Sequence, residues 1–288
     1  MRTMELRRKI RIAVLMTCFN RKRMTLEALD SLFHQKHIED LDVFVYLVDD
    51  GSHDGTSHAV AELFPQVSLL QGDGSLFWNG GMRKAFAHAL AKDFDGYIWF
   101  NDDTRLDEDA LYRLTACAHG EAESLGAAIV AGSIRDPHTG ERSYGGLRKR
   151  ASRFRLDFIP LAPDNREPVR CDTMNGNFTL IPAFVAERLG NLDGAFSHQL
   201  GDFDYGLRAT EAGIPVILAP GYYGRCSDNP ACGTWRDRSQ PLSRRWRHVL
   251  SPKGAPIREW PLYTRRHFGW RWPLYALSPY IKTILAIP

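Results

Sequence analysis

The sequence predicts an α/β fold: a mostly parallel sheet flanked by helices on both faces. Short β-rich apolar runs alternate with amphipathic helical segments over the first two-thirds of the chain, and acidic residues cluster where two of those runs end. The 288 residues are 44% hydrophobic and 25% charged, which is ordinary for a globular enzyme of this length. One large domain is expected over 1–234, with a shorter extension over 235–288.

Strands are expected at 12–16, 43–48, 67–70, 97–100, 127–131, 178–181 and 215–218. Between the first two, Leu26, Leu29, Leu32 and Phe33 recur at helical spacing and place a helix over 24–35. Asp54, Gly55 and Thr56 make a turn and an N-cap before a second helix at 58–63. Gly80 and Gly81 open a third, 82–91, and a fourth, 107–117, begins with the acidic first turn that the helix dipole favours. A fifth, 203–212, follows Asp202 and is ended by Gly213. From 135 to 169 the pattern weakens into Gly, Pro and charged residues, which predicts a long, partly irregular excursion over the sheet.

No apolar run approaches the roughly 18–20 residues needed to cross a bilayer. The apolar stretch 12–16 behind the basic N-terminus, 1–11, is too short for a signal peptide. Cys18, Cys117, Cys171, Cys226 and Cys232 are odd in number, scattered, and lack C-x-x-C spacing, so they read as reduced thiols, with Cys18 a small core hydrophobe. These features predict a cytoplasmic protein. The net charge of +3 hides an asymmetry: ten Lys/Arg face two acids between Trp235 and Trp272, a local +8 that leaves −5 for the rest.

In an open parallel sheet the ligand crevice lies at the carboxyl ends of the strands. Asp49 and Asp50 follow 43–48, and Asn101, Asp102 and Asp103 follow 97–100, so two acidic clusters converge on one pocket. The same residue types also stabilise plain turns. Adjacent carboxylates at a strand end suit a divalent cation of the Mg²⁺ or Mn²⁺ type, which takes carboxylate, phosphate and water oxygens, and Asp102 and Asp103 fit that task.

Thr17-Cys18-Phe19-Asn20-Arg21, Val48-Asp49-Asp50-Gly51-Ser52 with Asp54-Gly55-Thr56, and Asn101-Asp102-Asp103 together resemble the family 2 glycosyltransferases with a GT-A fold. The likeness covers roughly residues 10 to 225. It implies a GT-A catalytic domain over 1–234, with a donor half over about 10–105 and an acceptor half over about 106–234. It also implies a UDP- or dTDP-sugar donor, inversion at the anomeric carbon, and a divalent cation as cofactor. Thr17, Phe19 and Asp50 would contact the donor's base and ribose, with Asn20 and Arg21 beside them. Asp103 would be the direct metal ligand and Asp102 would lie close to both metal and donor sugar; Asn101 stands where the family's D-x-D motif has its first Asp.

The run from Leu200 to Arg208 resembles the family's acceptor-side motif, commonly Glu-Asp ahead of a helix, with Gly201 in place of the Glu. The resemblance makes Asp202 the catalytic base, since inverting transfer needs a carboxylate to take the acceptor hydroxyl's proton. Position alone reads Asp202 as a helix N-cap. The segment from Gly72 to Arg83 is most similar to bacterial rhamnosyltransferase-like members. Its Gly80, Gly81 and Arg83 are donor-binding candidates, because glycines at a helix start let backbone N–H groups approach an anion. Trp78 reads as either sugar platform or core. Asn175 and Asn177, flanking Gly176, are candidates for acceptor hydroxyls, although Asn-Gly is also a common hairpin signal.

Trp235, Trp246, Trp260, Trp270 and Trp272, five of the seven tryptophans, lie among the arginines of the tail. Two readings stand: a segment peripheral to the inner face of an anionic membrane, apolar over 270–287, or one folded over the catalytic domain with arginines stacked on the rings. Nucleic acid is not expected as a partner, since no recognition motif accompanies the charge. A membrane location would make a lipid-linked saccharide a natural acceptor, as in the making of bacterial surface polysaccharides. A sugar-phosphate nucleotidyltransferase would need a Gly-rich loop after the first strand, and 17–23 contains no glycine; the same segment excludes a G-x-G-x-x-G dinucleotide site. A noncatalytic membrane-associated module with a degenerate transferase fold is the reading from a different class.

Overall fold

The computed structural model describes residues 8–120, 126–151, 156–227 and 232–285. Residues 1–7 of the basic N-terminus, 121–125 and 228–231 of the large domain, 152–155 of the 135–169 excursion and 286–288 of the tail lie outside them.

β1 (Ile10–Cys18) leads to α1 (Lys22–Phe33), β2 (Leu41–Asp49) to α2 (Thr56–Leu63), and β3 (Ser68–Gln71) to α3 (Phe77–Leu90). β4 (Gly96–Phe100) and the short β5 (Arg105–Leu106) precede α4 (Ala110–His119). There follow β6 (Ile129–Arg135), β7 (Arg142–Tyr144), β8 (Gly146–Ala151), β9 (Leu156–Pro160), β10 (Val169–Cys171) and β11 (Thr173–Met174). β12 (Phe178–Pro182) leads through α5 (Ala183–Leu189) and α6 (Leu200–Glu211) to β13 (Val216–Arg225). The tail holds α7 (Leu242–Val249), α8 (Glu259–His267), a 3₁₀ turn at Gly269–Arg271 and α9 (Trp272–Leu285).

The main sheet runs in the order β10-β13-β6-β12-β4-β1-β2-β3. β1 to β4 pair in parallel, as do β6 and β13, and β12 runs antiparallel between β4 and β6. Alternation along each buried strand feeds two cores. Val14, Met16, Leu47, Ile98 and Phe100 pack under α1, α2 and α4, while Leu15, Val48, Tyr97 and Trp99 pack under α3, α5 and α6. Each fully buried Leu, Val or Phe stabilises by about 1.5–3 kcal/mol, so these faces fix the register of the sheet. Gly213 ends α6 as expected: its φ is +77°, and Ile214 N–H donates to Ala209 O at 2.9 Å.

The 135–169 excursion is more regular than expected. β8 pairs with β9 and β11 in a second, three-stranded sheet. Its charged Arg148-Lys149-Arg150 hides the strand from a hydrophobic pattern, and the tail supplies the missing partner: Lys149 donates to His267 O at 2.7 Å and lies over the Phe268 ring. α3 starts at Phe77, before the glycines expected to open it, and α4 starts at Ala110, so Asp107 precedes the helix instead of occupying its first turn.

The tail folds onto the domain. Tyr263, Phe268 and Tyr275 form a third core with Phe196 and with Leu200 and Leu207 of α6. Behind it Asp204, fully buried, accepts hydrogen bonds from Arg208 at 2.9 Å, Arg266 at 2.6 Å and His267 at 2.9 Å. Burial pushes the Asp204 carboxyl up, but the hydrogen bond from His267, the charge of Arg208 and the hydrogen bonds from Arg266 and Arg208 outweigh it and hold it below the ordinary carboxylate range. Trp235 and Trp270 each carry a neighbouring guanidinium, Arg236 and Arg271, on their rings.

Candidate active site

The sheet brings four chain segments to one edge. In the parallel register Cys18 pairs with Asp49 and Leu15 with Trp99, so the loops after β1, β2 and β4 leave the sheet side by side. β12 runs the other way and begins at that edge, with Phe178 against Phe100 and Asn101 N–H donating to Asn177 O at 3.1 Å.

Much of the acidic cluster after β2 builds the loops themselves. Asp49, fully buried, accepts from Ser52 N–H at 2.9 Å and from the Ser57 hydroxyl. Asp50 accepts three backbone N–H groups of the Gly-rich loop, from Gly74 at 3.0 Å, Leu76 at 3.0 Å and Phe77 at 3.1 Å. A carboxylate has about four acceptor sites, so roughly one remains for a ligand. Asp54 satisfies the first N–H of both flanking helices, Lys22 of α1 at 2.9 Å and Thr56 of α2 at 3.1 Å. Asn20 adopts a positive φ of 51°, which Asn tolerates, and its side chain accepts from His53 N–H at 2.7 Å.

Thr17 is buried against Gly81, where a Cβ would stand 2.1 Å from the Thr17 hydroxyl, so Gly81 lets α3 close on β1. Gly80 N–H donates to Leu76 O at 3.0 Å inside the helix, and it is not free for an anion. Arg83 turns away from this edge and donates to Leu192 O at 2.8 Å. Phe19 is 47% exposed at the mouth of the β1 loop. Asn175 holds the turn at Gly145 through its side-chain oxygen at 3.3 Å, and Asn177 is buried.

Asp102, Asp103 and Arg21 do converge. One guanidinium nitrogen of Arg21 lies 3.1 Å from Asp102 and 2.7 Å from Asp103. Burial, reinforced by the charge of Asp103 and opposed by that of Arg21, raises the Asp102 carboxyl to about 7. Cys226 lies 3.4 Å from the other Asp103 oxygen, and burial pushes its thiol up, leaving it a neutral donor. Two carboxylates could together hold a divalent cation only with phosphate and water completing its shell; here a nitrogen of Arg21 stands at their focus, and no group of three or more His, Cys, Asp or Glu able to hold a metal is found among the described residues. An open cleft, walled by Met24, Glu27, Arg105 and Arg225, reaches Asn20, Arg21 and Asp103, while Asp102 and Asp202 do not line it.

Asp202 sits in the first turn of α6, buried, and accepts from Gly176 N–H at 3.0 Å and Phe203 N–H at 2.8 Å. Burial raises its carboxyl to about 7, since those two N–H groups offset desolvation only in part. A chain of contacts links it to the acidic pair. A Cβ on Gly176 would meet the Trp78 ring at 2.5 Å, and the Trp78 indole N–H donates to Asn101 Oδ1 at 2.8 Å, next to Asp102. A carboxylate that titrates near neutrality can take a proton from a hydroxyl at physiological pH.

Two further residues escape a reading by motif. Asn79, fully buried, donates to Asp193 O at 2.9 Å and Phe196 O at 2.6 Å, and so fixes the approach to α6. His198 lies four residues before Asp202, its Nδ1 buried without a protein partner among the described residues, and burial lowers its pKa to about 4. Their only sequence signal was proximity to motifs already chosen.

A family model described as glycosyl transferase family 2 matches residues 13–180, more than half of the chain. No curated protein matches in a sequence comparison. Among solved structures, a mannosyltransferase from Pyrobaculum calidifontis in complex with GDP-Man and Mn²⁺ aligns with a TM-score of 0.53 at 17% identity, covering 96% of this chain and 76% of that one. S. aureus TarS in complex with UDP-GlcNAc aligns with a TM-score of 0.58 at 13% identity, covering 96% and 82%. At such identities these likenesses establish the fold, a GT-A-type α/β sheet, and the family model adds the membership: the chain belongs to glycosyl transferase family 2.

Proposed function

We propose that the chain transfers a sugar from a UDP- or dTDP-linked donor to an acceptor hydroxyl, with inversion, in the synthesis of a bacterial surface polysaccharide. The observation that carries this reading is Asp202: a buried carboxylate near neutrality, joined through Gly176, Trp78 and Asn101 to the paired carboxylates Asp102 and Asp103. Asp202 takes the proton of the acceptor hydroxyl, the acceptor oxygen bonds to the anomeric carbon, and the bond to the diphosphate breaks, its electron pair leaving with the phosphate. Asp103 and Asp102 would hold Mg²⁺ or Mn²⁺, which neutralises charge on the leaving diphosphate when bound. The complexes of the structural neighbours, one with GDP-Man and Mn²⁺ and one with UDP-GlcNAc, support a nucleotide-sugar donor and a divalent cation in general.

In this reading Thr17, Phe19, Asn20, Arg21 and Asp50 border the donor's nucleoside and diphosphate, and Gly81 lets α3 close on β1 beside them, whereas Gly80 and Arg83, engaged with Leu76 and Leu192, are left out of the donor site. Trp78, Asn175 and Asn177 wall the acceptor side. The Gly72–Arg83 segment supports a rhamnosyltransferase-like donor preference, and the acceptor is a saccharide or lipid-linked saccharide. The site is at work in the cytoplasm, on or near the inner face of the membrane, with 1–234 as the catalytic domain and 235–288 as its extension. A panel of UDP- and dTDP-sugars, assayed by thermal shift and slow donor hydrolysis with and without Mn²⁺, tests it. One donor should stabilise the chain in a metal-dependent way that disappears in Asp103→Ala. Asp202→Asn should keep donor binding while losing about 10²–10⁴-fold in transfer. Silence toward every donor would favour the degenerate module, and triphosphate-dependent turnover the nucleotidyltransferase.

A further inference from the structure

α9 is apolar on two opposite faces. At about 100° per residue, Leu274, Leu277, Ile281, Ile284 and Leu285 fall in one arc, and the buried Tyr275, Ala276, Pro279 and Thr283 fall in the arc opposite. The inner arc is accounted for: Tyr275 packs on Phe268 at 5.7 Å, and Tyr280 donates to Ala255 O at 2.8 Å. The outer arc is about half exposed, and Trp270 beside it is 82% exposed. Ten of the seventeen large hydrophobics exposed among the described residues lie between Leu242 and Leu285, so the apolar surface is concentrated here.

We infer that the outer face of α9, with Trp270, docks the protein on an anionic lipid bilayer. Charge selects this occupant. Between Trp260 and Leu285 there is no Asp or Glu, against Arg265, Arg271 and Lys282, Arg266 being turned inward onto Asp204 and Asp193. A second copy docking through the same face would set these cations against their own counterparts, whereas anionic headgroups complement them. The helix is about 21 Å long, short of the roughly 30 Å hydrocarbon core, and no helix among the described residues is long and apolar enough to span. It therefore lies in the interface, apolar arc toward the acyl chains and Trp270 at headgroup level.

The docked face is tied to the acceptor side of the site. Trp260 on α8 donates to Tyr275 O at 3.1 Å, Glu259 holds Ser197 N–H at 3.0 Å and its hydroxyl at 2.7 Å, and Gln199 donates to Gly254 O at 2.8 Å, all just ahead of the helix that carries Asp202. In the transferase reading these contacts couple the docked helix to the segment that carries Asp202; that coupling rests on the transferase reading, while the docking does not.

Flotation of the full chain with vesicles of phosphatidylglycerol and phosphatidylcholine in equal parts, with no donor present, tests the docking directly. The native chain should float with these vesicles, less so at high salt, and poorly with phosphatidylcholine alone. Leu277→Glu with Ile281→Glu should lower the bound fraction about tenfold or more while leaving the thermal midpoint and vesicle-free donor hydrolysis unchanged. Quenching of native Trp fluorescence by brominated lipid, lost in Trp270→Phe, gives a second readout that needs no charge-reversed variant. Absence of native binding to the anionic vesicles overturns the inference, as does a concentration-dependent dimer that the double variant abolishes. Loss of donor hydrolysis with docking intact would overturn the transferase reading alone.

Discussion

At the scale of single residues the site sets two carboxyls near neutrality by burial, and the sign of their pH dependence follows. Asp202 must be ionised to accept a proton, and its carboxyl titrates at about 7. Transfer should therefore fall as pH drops through about 7 and level off above it, and a kcat profile flat across neutrality would remove Asp202 from the base role. Asp102, also near 7, must likewise lose its proton to hold a metal, so Mn²⁺ binding without turnover should weaken over the same range. The two are separable, since Asp202→Asn leaves the metal titration in place. Arg21 occupies, with one nitrogen, the focus of Asp102 and Asp103. Arg21→Ala should tighten Mn²⁺ binding several-fold in calorimetry without donor, because a competing cation is gone, while weakening donor affinity. Unchanged Mn²⁺ affinity would mean that the metal does not use this pair.

At the scale of elements, α6 carries Asp202 on one side and Asp204 on the other, so the helix that presents the proposed base is also the one the tail clamps. Asp204→Ala leaves Arg266 and His267 without their shared buried partner and should cost about 3–5 kcal/mol, read as a lower thermal midpoint and faster proteolysis of the tail. Because the Asp204 carboxyl is held below the ordinary range, its stabilisation is present above that range and is lost as pH falls through it, so the native tail should loosen in acid and not at neutral pH. The same elements mark what the sequence could reveal. β1, β2 and β4 announce themselves because their central runs, 12–16, 45–48 and 97–100, are apolar and buried on both faces, whereas β8 is stabilised by Lys149 reaching His267 and Phe268 more than a hundred residues away. Motif order singles out Asp102, Asp103 and Asp202 as candidates, and motifs likewise mark Asp50 and Arg83 as donor candidates, but not what these two bond to in the fold. Their hydrogen bonds to the loops at 74–77 and Leu192 depend on tertiary neighbours that spacing does not specify.

For the whole molecule, the tail decides whether the rest of the chain can stand alone. Composition left two readings, a membrane segment or a strap over the domain, because a basic, Trp-rich stretch satisfies both. The structure divides the tail between two surfaces: α8 turns inward onto Phe196, Leu200 and Leu207, and the outer arc of α9 stays uncovered. Removing 235–288 would expose that third core, leave Asp204 with Arg208 as its remaining cation, and free Ser197 from Glu259. The truncated chain should therefore melt well below the native one and aggregate, with donor hydrolysis lost together with the fold. A truncation that stays monomeric, melts at the native temperature and hydrolyses donor would show that α8 is not needed to hold α6, and the apolar area buried by Tyr263, Phe268 and Tyr275 would then need another explanation.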